Sequence, residues 1–294
     1  MRFMNDWSAI AAAISQATGQ TFVLSDYTST SGGYINQTFR ITGRDNRQFF
    51  LKLNEVQQYP LLLSEVAGLK AIAATNTLRV PRVFAHGKND AYSFLVLEYL
   101  ELQSYGNAKL LGEQLALMHR CTSARFGFKQ DNHIGATTQL NAWTSNWITF
   151  FREYRLGFQL RLARQKNPGG KLLPLGEKLM ESLPDFFIAY TPAPSLLHGD
   201  LWSGNHAYLP DGTPLIFDPA AYYGDRECDL AMTELFGGFS GKFYEAYREH
   251  FPLDPGYATR RDLYNLYHIL NHANMFGGGY VQQSEQMMQK LLAA

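Results

Sequence analysis

The sequence predicts an α+β fold in two unequal lobes: a small N-terminal lobe with an antiparallel β-sheet and one helix, and a larger, mostly helical C-terminal lobe. Between residues 21 and 98, short strand-like runs alternate with turn signals. From Gly106 onward, apolar residues recur mainly at helical spacing. We therefore expect the N-terminal lobe at residues 1–98, a hinge at 99–103 and the C-terminal lobe at 104–294.

Composition and charge exclude several classes of protein. With 294 residues, 46% of them hydrophobic and 18% charged, the chain is globular and long enough for an ample core. Lys plus Arg and Asp plus Glu both total 26, which argues against a nucleic acid or an acidic membrane as the main partner. Cys121 and Cys228 are far apart and form no CxxC pair, so neither a zinc site nor a disulfide framework is expected.

We expect neither a signal peptide nor a membrane span from the sequence. Residues 1–20 are typical of a short amphipathic helix, because their apolar run is too short for a signal peptide and no substantial basic segment precedes it. No apolar run elsewhere is long enough for a transmembrane helix. We expect a cytoplasmic protein, and we expect it to be a monomer.

The predicted N-terminal strands flank a glycine-rich loop. They lie at residues 21–24, 38–42 and 48–53. The loop between the first two contains Gly32 and Gly33. Because glycine has no side chain, the backbone N–H groups of such a loop can approach phosphate oxygens closely. A Gly-Gly pair in a hairpin is more often only a turn, so this signal is weak when it stands alone.

Lys52 strengthens the interpretation of that loop. It lies on the strand that follows the glycine-rich hairpin, where a lysine can contact a nucleotide phosphate if an acid on the next helix fixes it. The sequence predicts that helix at residues 60–74, with Glu65 as its only acid. We therefore expect Lys52 to pair with Glu65. The alternative is an edge-strand lysine and an unrelated exposed glutamate.

A hinge is predicted where the small lobe ends. Strands at residues 83–85 and 92–97 surround a turn, and the second strand leads directly into Glu98, Tyr99 and Leu100. The backbone C=O of Glu98 and the N–H of Leu100 could pair with the edge of an adenine. This assignment depends on position alone, since backbone groups require no particular side chain.

The C-terminal lobe is predicted to be helical with few breaks. Helices are expected at residues 108–120, at 141–163 as one long helix or a helix pair, at 172–183 and 184–190, and from 230 to the end with a break at 277–279. The aromatic residues of the second helix form mostly core. His119 is expected to be a packing or capping residue and not a ligand. Asp225, Glu227 and Asp229 are expected to cap the following helix and to pair with Arg226, not to bind metal.

The strongest signal comes from the loop that begins His198-Gly199-Asp200. Asn205 follows Asp200 by five positions, and Asp218 follows it by eighteen. Kinases use this set: one Asp accepts the proton of the attacking hydroxyl, while the Asn and the second Asp hold Mg²⁺ at the nucleotide phosphates. The protein-kinase loop H-R-D-x-x-x-x-N has the same spacing, with Arg where this chain has Gly199. Since that Arg commonly serves activation-loop control, its replacement suggests a small-molecule kinase without a phosphorylation switch.

A hairpin is predicted to bring these three residues together. Residues 196–197 and 215–217 are short apolar runs, and Asp211-Gly212 is a turn signal between them. If the two runs pair, Asp200 and Asp218 face one cleft. The alternative is a solvated loop followed by an ordinary hairpin, because Asp is a common turn residue.

With these motifs in hand, the chain resembles the fructosamine kinases (ketosamine-3-kinases), a branch of the aminoglycoside-phosphotransferase-like kinases. The resemblance covers nearly the whole length. The residues that carry it are Gly32-Gly33-x-Ile35-Asn36, Lys52, Leu95-Val-Leu-Glu-Tyr-Leu100, Phe126-Gly-Phe128, Asp131-Asn132-x-Ile-Gly135, His198-Gly-Asp-Leu-Trp-Ser-Gly-Asn205 and Phe217-Asp-Pro-Ala-x-Tyr-Tyr-Gly-Asp-Arg-Glu227.

The resemblance implies a protein-kinase-like fold, ATP and Mg²⁺ as cofactors, and phosphorylation of the 3-hydroxyl of ketosamines on glycated amines or protein lysines. The unstable product would then release the sugar. Bacterial relatives look better suited to ribulosamines or erythrulosamines than to fructosamines. Some relatives carry a regulatory Cys in the glycine-rich loop; Tyr34 stands there in this chain, so that redox switch is not expected.

Residue roles follow from the same resemblance. It implies that Asp200 is the general base, that Asn205 and Asp218 hold magnesium, and that Lys52 contacts phosphate together with the glycine-rich loop that ends at Asn36. Trp202 would stack on the sugar-amine substrate, and an aromatic face suits both a sugar ring and a cationic amine.

Other functions stay open at this point. A kinase of the same fold could act on choline, a free sugar or an aminoglycoside, although the balanced charge weakens the case for a polycationic substrate. The chain could also bind a nucleotide or a glycan without catalysis. A glycosidase that uses Asp200 and Asp218 as its two carboxylates would need no ATP.

Overall fold

The computed structural model describes residues 7–30, 36–166 and 170–293. The helices are α1 Ser8–Thr18, α2 Tyr59–Ala73, α3 Ala108–His119, α4 Trp147–Phe151, α5 Gly157–Lys166, α6 Leu172–Ser182, α7 Glu227–Leu235, α8 Gly241–His250, α9 Tyr257–Phe276 and α10 Gly279–Leu292. The strands are β1 Leu24–Ser29, β2 Gln37–Gly43, β3 Gln48–Asn54, β4 Val83–Lys88, β5 Ser93–Glu98, β6 Asn132–Ile134, β7 Thr137–Gln139, β8 Ser195–Leu197, β9 His206–Tyr208, β10 Pro214–Ile216 and β11 Tyr222–Gly224.

The first five strands form one antiparallel sheet in the order β1-β2-β3-β5-β4. Side chains alternate between the two faces of a strand. Leu51 and Leu53 of β3 therefore face α1, where they share a core with Ile10 and Ile14. Lys52 faces the other way, toward α2. The antiparallel sheet of the α+β prediction is present, although its first strand begins at Leu24 and not at residue 21.

Helix α2 packs between the sheet and the rest of the chain. Its buried residues Leu62 and Leu69 belong to the same core as Leu95 of β5 and many residues of the helical region. Gly68 lies so close to Pro219 that a Cβ at this position would come within 2.8 Å of the proline ring. The glycine therefore lets α2 approach the segment that follows β10.

The aromatic segment predicted at residues 141–163 as one helix or a helix pair begins later than expected and forms two helices, α4 and α5. Asn146 caps its start, with Oδ1 accepting a hydrogen bond of 2.8 Å from the amide of Thr149. One π-helical turn, Arg152–Leu156, separates α4 from α5. Such turns are often found at functional or special packing positions. This one turns the guanidinium of Arg155 into the interior, 4.0 Å from the centre of the Tyr222 ring.

A hairpin does turn at Asp211-Gly212, as predicted, but it does not join the two predicted runs, 196–197 and 215–217. It pairs β9 with β10, both after the loop at residues 198–205 that carries Asp200. Strand β8 instead pairs with β11, beyond Asp218. The stretch from 198 to 205 cannot extend β8 into this hairpin, because it turns sharply at Gly199 and ends in a 3₁₀ turn. Asp200 and Asp218 are therefore held between two small ladders.

None of the helices in the described ranges combines the length and the apolarity that crossing a bilayer would need.

Candidate active site

Lys52 joins three separate elements of the fold. Its Nζ atom lies 2.9 Å from both carboxylate oxygens of Glu65 on α2, and it also donates a hydrogen bond to Asp218 after β10. Lys52 is only 5% exposed. A buried cation of this kind is stable only with good partners. The pair with Glu65 that the sequence predicts is present, and Asp218 completes the group.

The charges of Lys52 and Asp218 support each other, whereas burial and the Asp218 carboxylate raise the pKa of Glu65 to about 7. Burial opposes the charged form of Lys52, but the carboxylates of Asp218 and Glu65 raise the pKa of Lys52 above its ordinary value. Partial desolvation likewise opposes the charge on Asp218, although its side chain keeps 46% of its surface exposed, but the Lys52 ammonium keeps the pKa of Asp218 below its ordinary value. At neutral pH, Lys52 is therefore a cation and Asp218 an anion.

Asp218 has an uncommon backbone conformation. Its φ is +56°, in the left-handed region that residues other than glycine seldom occupy. Asp tolerates this region better than most residues, because its short side chain can bond locally. The turn carries the chain out of β10 and directs the carboxylate toward Lys52. Such outliers are often found at functional sites.

Asn205 holds Asp200. Its Nδ2 group donates to the backbone oxygen of Asp200 at 2.8 Å and lies 3.3 Å from Oδ2 of the same residue. Burial, followed by the nearby charge of Asp218, raises the pKa of Asp200 to about 7, although the hydrogen bond from Asn205 opposes the shift. A carboxylate with a pKa near the working pH is suited to general-base chemistry.

The loop that carries Asp200 is held by hydrogen bonds to the side chain of Asp229. Its Oδ2 accepts the amide of His198 at 2.7 Å, and its Oδ1 accepts the amide of Gly199 at 2.8 Å. His119 Nε2 lies 3.1 Å from the same carboxylate, and His119 Nδ1 lies 2.8 Å from the hydroxyl of Tyr247. His119 is thus a buried packing residue, as predicted. The role of Asp229 in the loop was missed, because its partners are about thirty positions away in the sequence.

The geometry also explains why glycine follows His198. Gly199 has a φ of +82°, and a Cβ at this position would lie 2.2 Å from the backbone oxygen of Ala220. An arginine, as in the protein-kinase loop, cannot be placed there without moving the backbone. The His198 ring reaches past it and bonds the carbonyl of Phe217 at 2.8 Å, which ties the loop to the residue before Asp218.

The predicted pairing of the acids 225, 227 and 229 with Arg226 is wrong. Glu227 pairs with Arg260 instead, at 2.7 Å, because the turn before α7 points Arg226 toward the carbonyls of residues 251 and 252. The capping role is present: Asp225 Oδ1 accepts the amide of Glu227 at 3.0 Å. Within the described part of the chain, no three His, Cys, Asp or Glu side chains group as a metal cluster.

A buried hairpin, β6–β7, fixes the segment that follows Asp218. Asn132 Nδ2 donates to the carbonyl of Ala221 at 2.7 Å, and Gln139 Nε2 donates to that of Ala220 at 3.0 Å. Gln139 Nε2 also donates to Asn132 Oδ1 at 2.8 Å, so each amide orients the other. Both side chains are fully buried. Their hydrogen bonds therefore replace water that these groups cannot reach.

The same hairpin reaches α2. His133 Nδ1 lies 2.9 Å from the hydroxyl of Ser64, the residue before Glu65. The hairpin thus contacts both the helix that carries Glu65 and the segment that carries Asp218.

Replacing Asn132 by Ala is expected to destabilise the protein by roughly 1–3 kcal/mol, because it leaves buried amide and carbonyl groups without partners. Urea unfolding followed by far-UV circular dichroism measures the change. Gln130→Ala, at an exposed position just before the hairpin, is the matched control and should stay within about 0.5 kcal/mol of the wild type. Equal stability of the two variants would contradict the anchoring role of Asn132.

The remaining predicted site residues lie as follows. Gly32 and Gly33 fall outside the described residues. Asn36 Oδ1 accepts a hydrogen bond of 2.6 Å from Asn54 Nδ2 on β3. The Glu98 side chain accepts from Arg79 at 2.6 Å and the Glu98 amide donates to the carbonyl of Arg82 at 2.8 Å, so neither group is available to a ligand.

The remaining predicted site residues occupy two partly exposed places, one at Tyr99 and Leu100 and one at Trp202. Tyr99 and Leu100 lie just after β5, and within the described ranges the amide of Leu100 has no hydrogen-bond partner. Trp202 follows Asp200 in the catalytic loop and is 38% exposed. Its ring meets that of Phe236 edge-on, with centroids 6.5 Å apart. A planar ligand group could therefore reach either position.

Comparison with known proteins agrees with this geometry. A family model described as fructosamine kinase matches residues 6–294. A probable ketoamine kinase of Synechocystis sp. is 48% identical over 289 residues, which is 97% of each chain. The chloroplastic protein-ribulosamine 3-kinase of Arabidopsis thaliana is 43% identical over 256 residues, which is 86% of this chain and 78% of the plant protein.

Solved structures give the same picture. A fructosamine-3-kinase-type protein of Haemophilus somnus 129PT superposes with a TM-score of 0.90 at 29% identity and covers 99% of both chains. An aminoglycoside phosphotransferase with ADP bound superposes with a TM-score of 0.62 at 13% identity over 95% of this chain and 98% of that one; this likeness concerns the fold alone. The chain belongs to the fructosamine kinase family.

Proposed function

We propose that this protein is an ATP-dependent kinase that phosphorylates the 3-hydroxyl of a ketosamine carried by a glycated amine or a protein lysine. The observation that carries the proposal is the contact of Lys52 with both Glu65 and Asp218, beside a loop in which Asn205 holds Asp200. Kinases arrange their phosphate-binding lysine, metal ligands and base in this way. Membership of the fructosamine kinase family supports the substrate class.

In this proposal Asp200 is the general base. It accepts the proton of the sugar 3-hydroxyl as that oxygen attacks the terminal phosphorus of the nucleotide, and the bond from phosphorus to the leaving diphosphate oxygen breaks. The raised pKa of Asp200, about 7, supports the role, because such a carboxylate takes a proton more readily than an ordinary one. Trp202, two residues after Asp200, presents an aromatic face to the sugar ring.

The oxygen donors of Asn205 and Asp218 fit Mg²⁺. Asn205 uses its Nδ2 group toward Asp200, which leaves its amide oxygen as a ligand. The Asp218 side chain is nearly half exposed, and its Oδ1 atom is the one that Lys52 holds. Mg²⁺ prefers carboxylate and amide oxygens and takes its other ligands from phosphates and water. When bound, the ion would neutralise charge on the phosphate oxygens.

Lys52 and the glycine-rich loop with Gly32, Gly33 and Asn36 are proposed to hold the ATP phosphates, with Glu65 fixing the lysine. The backbone at Glu98, Tyr99 and Leu100 is proposed to bind the adenine, and the free amide of Leu100 supports this. We also propose residues 1–98 as the nucleotide lobe, 99–103 as the hinge and 104–294 as the substrate lobe. A monomer located in the cytoplasm completes the proposal.

The test is an ATP-consumption assay over ribulosamine, erythrulosamine, fructosamine, choline and an aminoglycoside. ADP is expected only with the ketosamines, and EDTA should abolish its formation. Phosphorus NMR should then place the new phosphate on O3. Turnover of choline or the aminoglycoside alone would favour another branch of the same fold. Nucleotide binding without any turnover would favour a non-catalytic protein and overturn the proposal.

A further inference from the structure

Five aromatic side chains form a continuous surface that starts at the catalytic loop. We call them the aromatic ridge: Trp202, Phe236, His272, Phe276 and Tyr280. Neighbouring ring centroids are 6.5 Å apart from Trp202 to Phe236, 5.1 Å from Phe236 to His272, and 5.7 and 5.1 Å from His272 to Phe276 and Tyr280. The surface therefore runs without a gap from Trp202, two residues after Asp200, to the junction of α9 and α10.

Two contacts fix the ridge beside the proposed base. The hydroxyl of Ser203, in the same loop as Asp200, donates to the carbonyl of Phe236 at 3.1 Å. Helix α9 also passes close to this segment, because the ring of His272 on α9 lies 5.1 Å from that of Phe236. The ridge thus continues the aromatic surface of Trp202 away from Asp200.

The outer end of the ridge is built by a glycine turn. Gly277 and Gly278 have φ values of +67° and +60°, which side chains seldom allow. This turn reverses the chain after α9 so that Tyr280, in the first turn of α10, comes back to the His272 ring. Phe276, just before the turn, is 65% exposed. An apolar ring this open contributes little to the fold and is available to a ligand.

We propose that the aromatic ridge binds the amine-bearing part of a protein-linked ketosamine: the glycated lysine side chain and the peptide next to it. This inference rests on the proposed function. The ketosamine nitrogen is a secondary amine, cationic at neutral pH, and aromatic faces attract such a cation. The four methylene groups of lysine match an apolar surface. With the sugar at Trp202, the lysine stem extends along Phe236 and His272 toward Phe276 and Tyr280.

The inference makes the ridge a specificity determinant. A ketosamine of a small amine ends near Trp202 and does not contact the outer rings, those of Phe276 and Tyr280. A ketosamine on a peptide lysine touches them all. Removing the outer rings should therefore weaken the second substrate and leave the first unchanged.

The experiment compares wild type, Phe276→Ala and the double variant Phe276→Ala/Tyr280→Ala on two substrates: ribulosyl-methylamine and a peptide with one ribulosyl-lysine. For the double variant, kcat/KM on the peptide should fall about tenfold, mainly through KM, as expected for two ring contacts of moderate strength. The values for ribulosyl-methylamine and for ATP should not change. Phe276→Tyr should restore most of the loss seen in Phe276→Ala.

Ile188→Ala is the matched control, since Ile188 is 84% exposed and outside the ridge. Thermal unfolding of each variant checks the fold. An equal loss on both substrates, or no loss on the peptide, would overturn the role of the ridge while leaving the proposed function intact. If wild-type protein consumed no ATP with either substrate, the proposed function would fail, and this inference with it.

Discussion

Replacing Asp200 by Asn is expected to lower kcat on the ketosamine by roughly 10²–10⁴-fold, the usual contribution of a positioned general base. The amide is close in shape to the carboxylate but cannot take the hydroxyl proton. The Lys52 group does not include Asp200, so ADP affinity should stay within about threefold of the wild type, well under 1 kcal/mol. Steady-state kinetics measure the first quantity, and calorimetric titration with ADP measures the second.

Asp185→Asn provides the control, because it makes the same chemical change at an exposed position fifteen residues before Asp200. Its kcat should equal that of the wild type. Substantial turnover in Asp200→Asn would remove Asp200 from the role of base. Loss of ADP binding together with turnover would show instead that the substitution disturbs the whole site.

Replacing Asp229 by Ala is expected to lower the free energy of unfolding by roughly 3–5 kcal/mol, the usual cost of breaking a buried charged contact. The change leaves the amides of His198 and Gly199 without an acceptor and removes the partner of His119. All of these groups are inaccessible to water, so solvent cannot replace the lost bonds. Urea unfolding at constant pH measures the difference.

The contribution of Asp229 to the free energy of unfolding depends on pH, and the sign of this dependence is definite. Burial opposes the charge on Asp229, but the hydrogen bonds from His119 and the loop amides keep the pKa of Asp229 below its ordinary value. Its contribution to stability is therefore present above the pKa of an unfolded carboxyl group, about 3.9, and is lost as the pH falls toward the lower folded value. In acid, the wild type should lose stability faster than Asp229→Ala.

Asp262→Ala is the contrasting variant. Asp262 also forms ion pairs, with Arg261 and Lys290, but at the surface. Pairs of this kind contribute about 0–1 kcal/mol, since water and salt screen them. If Asp229→Ala proved no more destabilising than Asp262→Ala, the anchoring of the catalytic loop by Asp229 would be wrong.

Features that depend on local sequence were predictable. Short strand-like runs between turn signals located β2 and β3, and with them the place of Lys52 on β3. Helical spacing located α2, and Glu65 could be named because it is the only acid within that helix. The five-residue and eighteen-residue spacings after Asp200 indicated kinase chemistry, since the loop and its turn are short enough for spacing to fix which groups meet.

Features that depend on contacts between distant segments were not predictable from spacing. The partner of β8 proved to be β11, the partner of Glu227 proved to be Arg260, and Asp229 proved to hold the catalytic loop. In each case two or more equally suitable partners exist along the chain, and packing of the whole core selects one of them. The aromatic ridge belongs to the same class, because it joins a loop near residue 202 to a glycine turn more than seventy positions later. Local rules describe how a segment folds, whereas burial and close packing decide which segments meet.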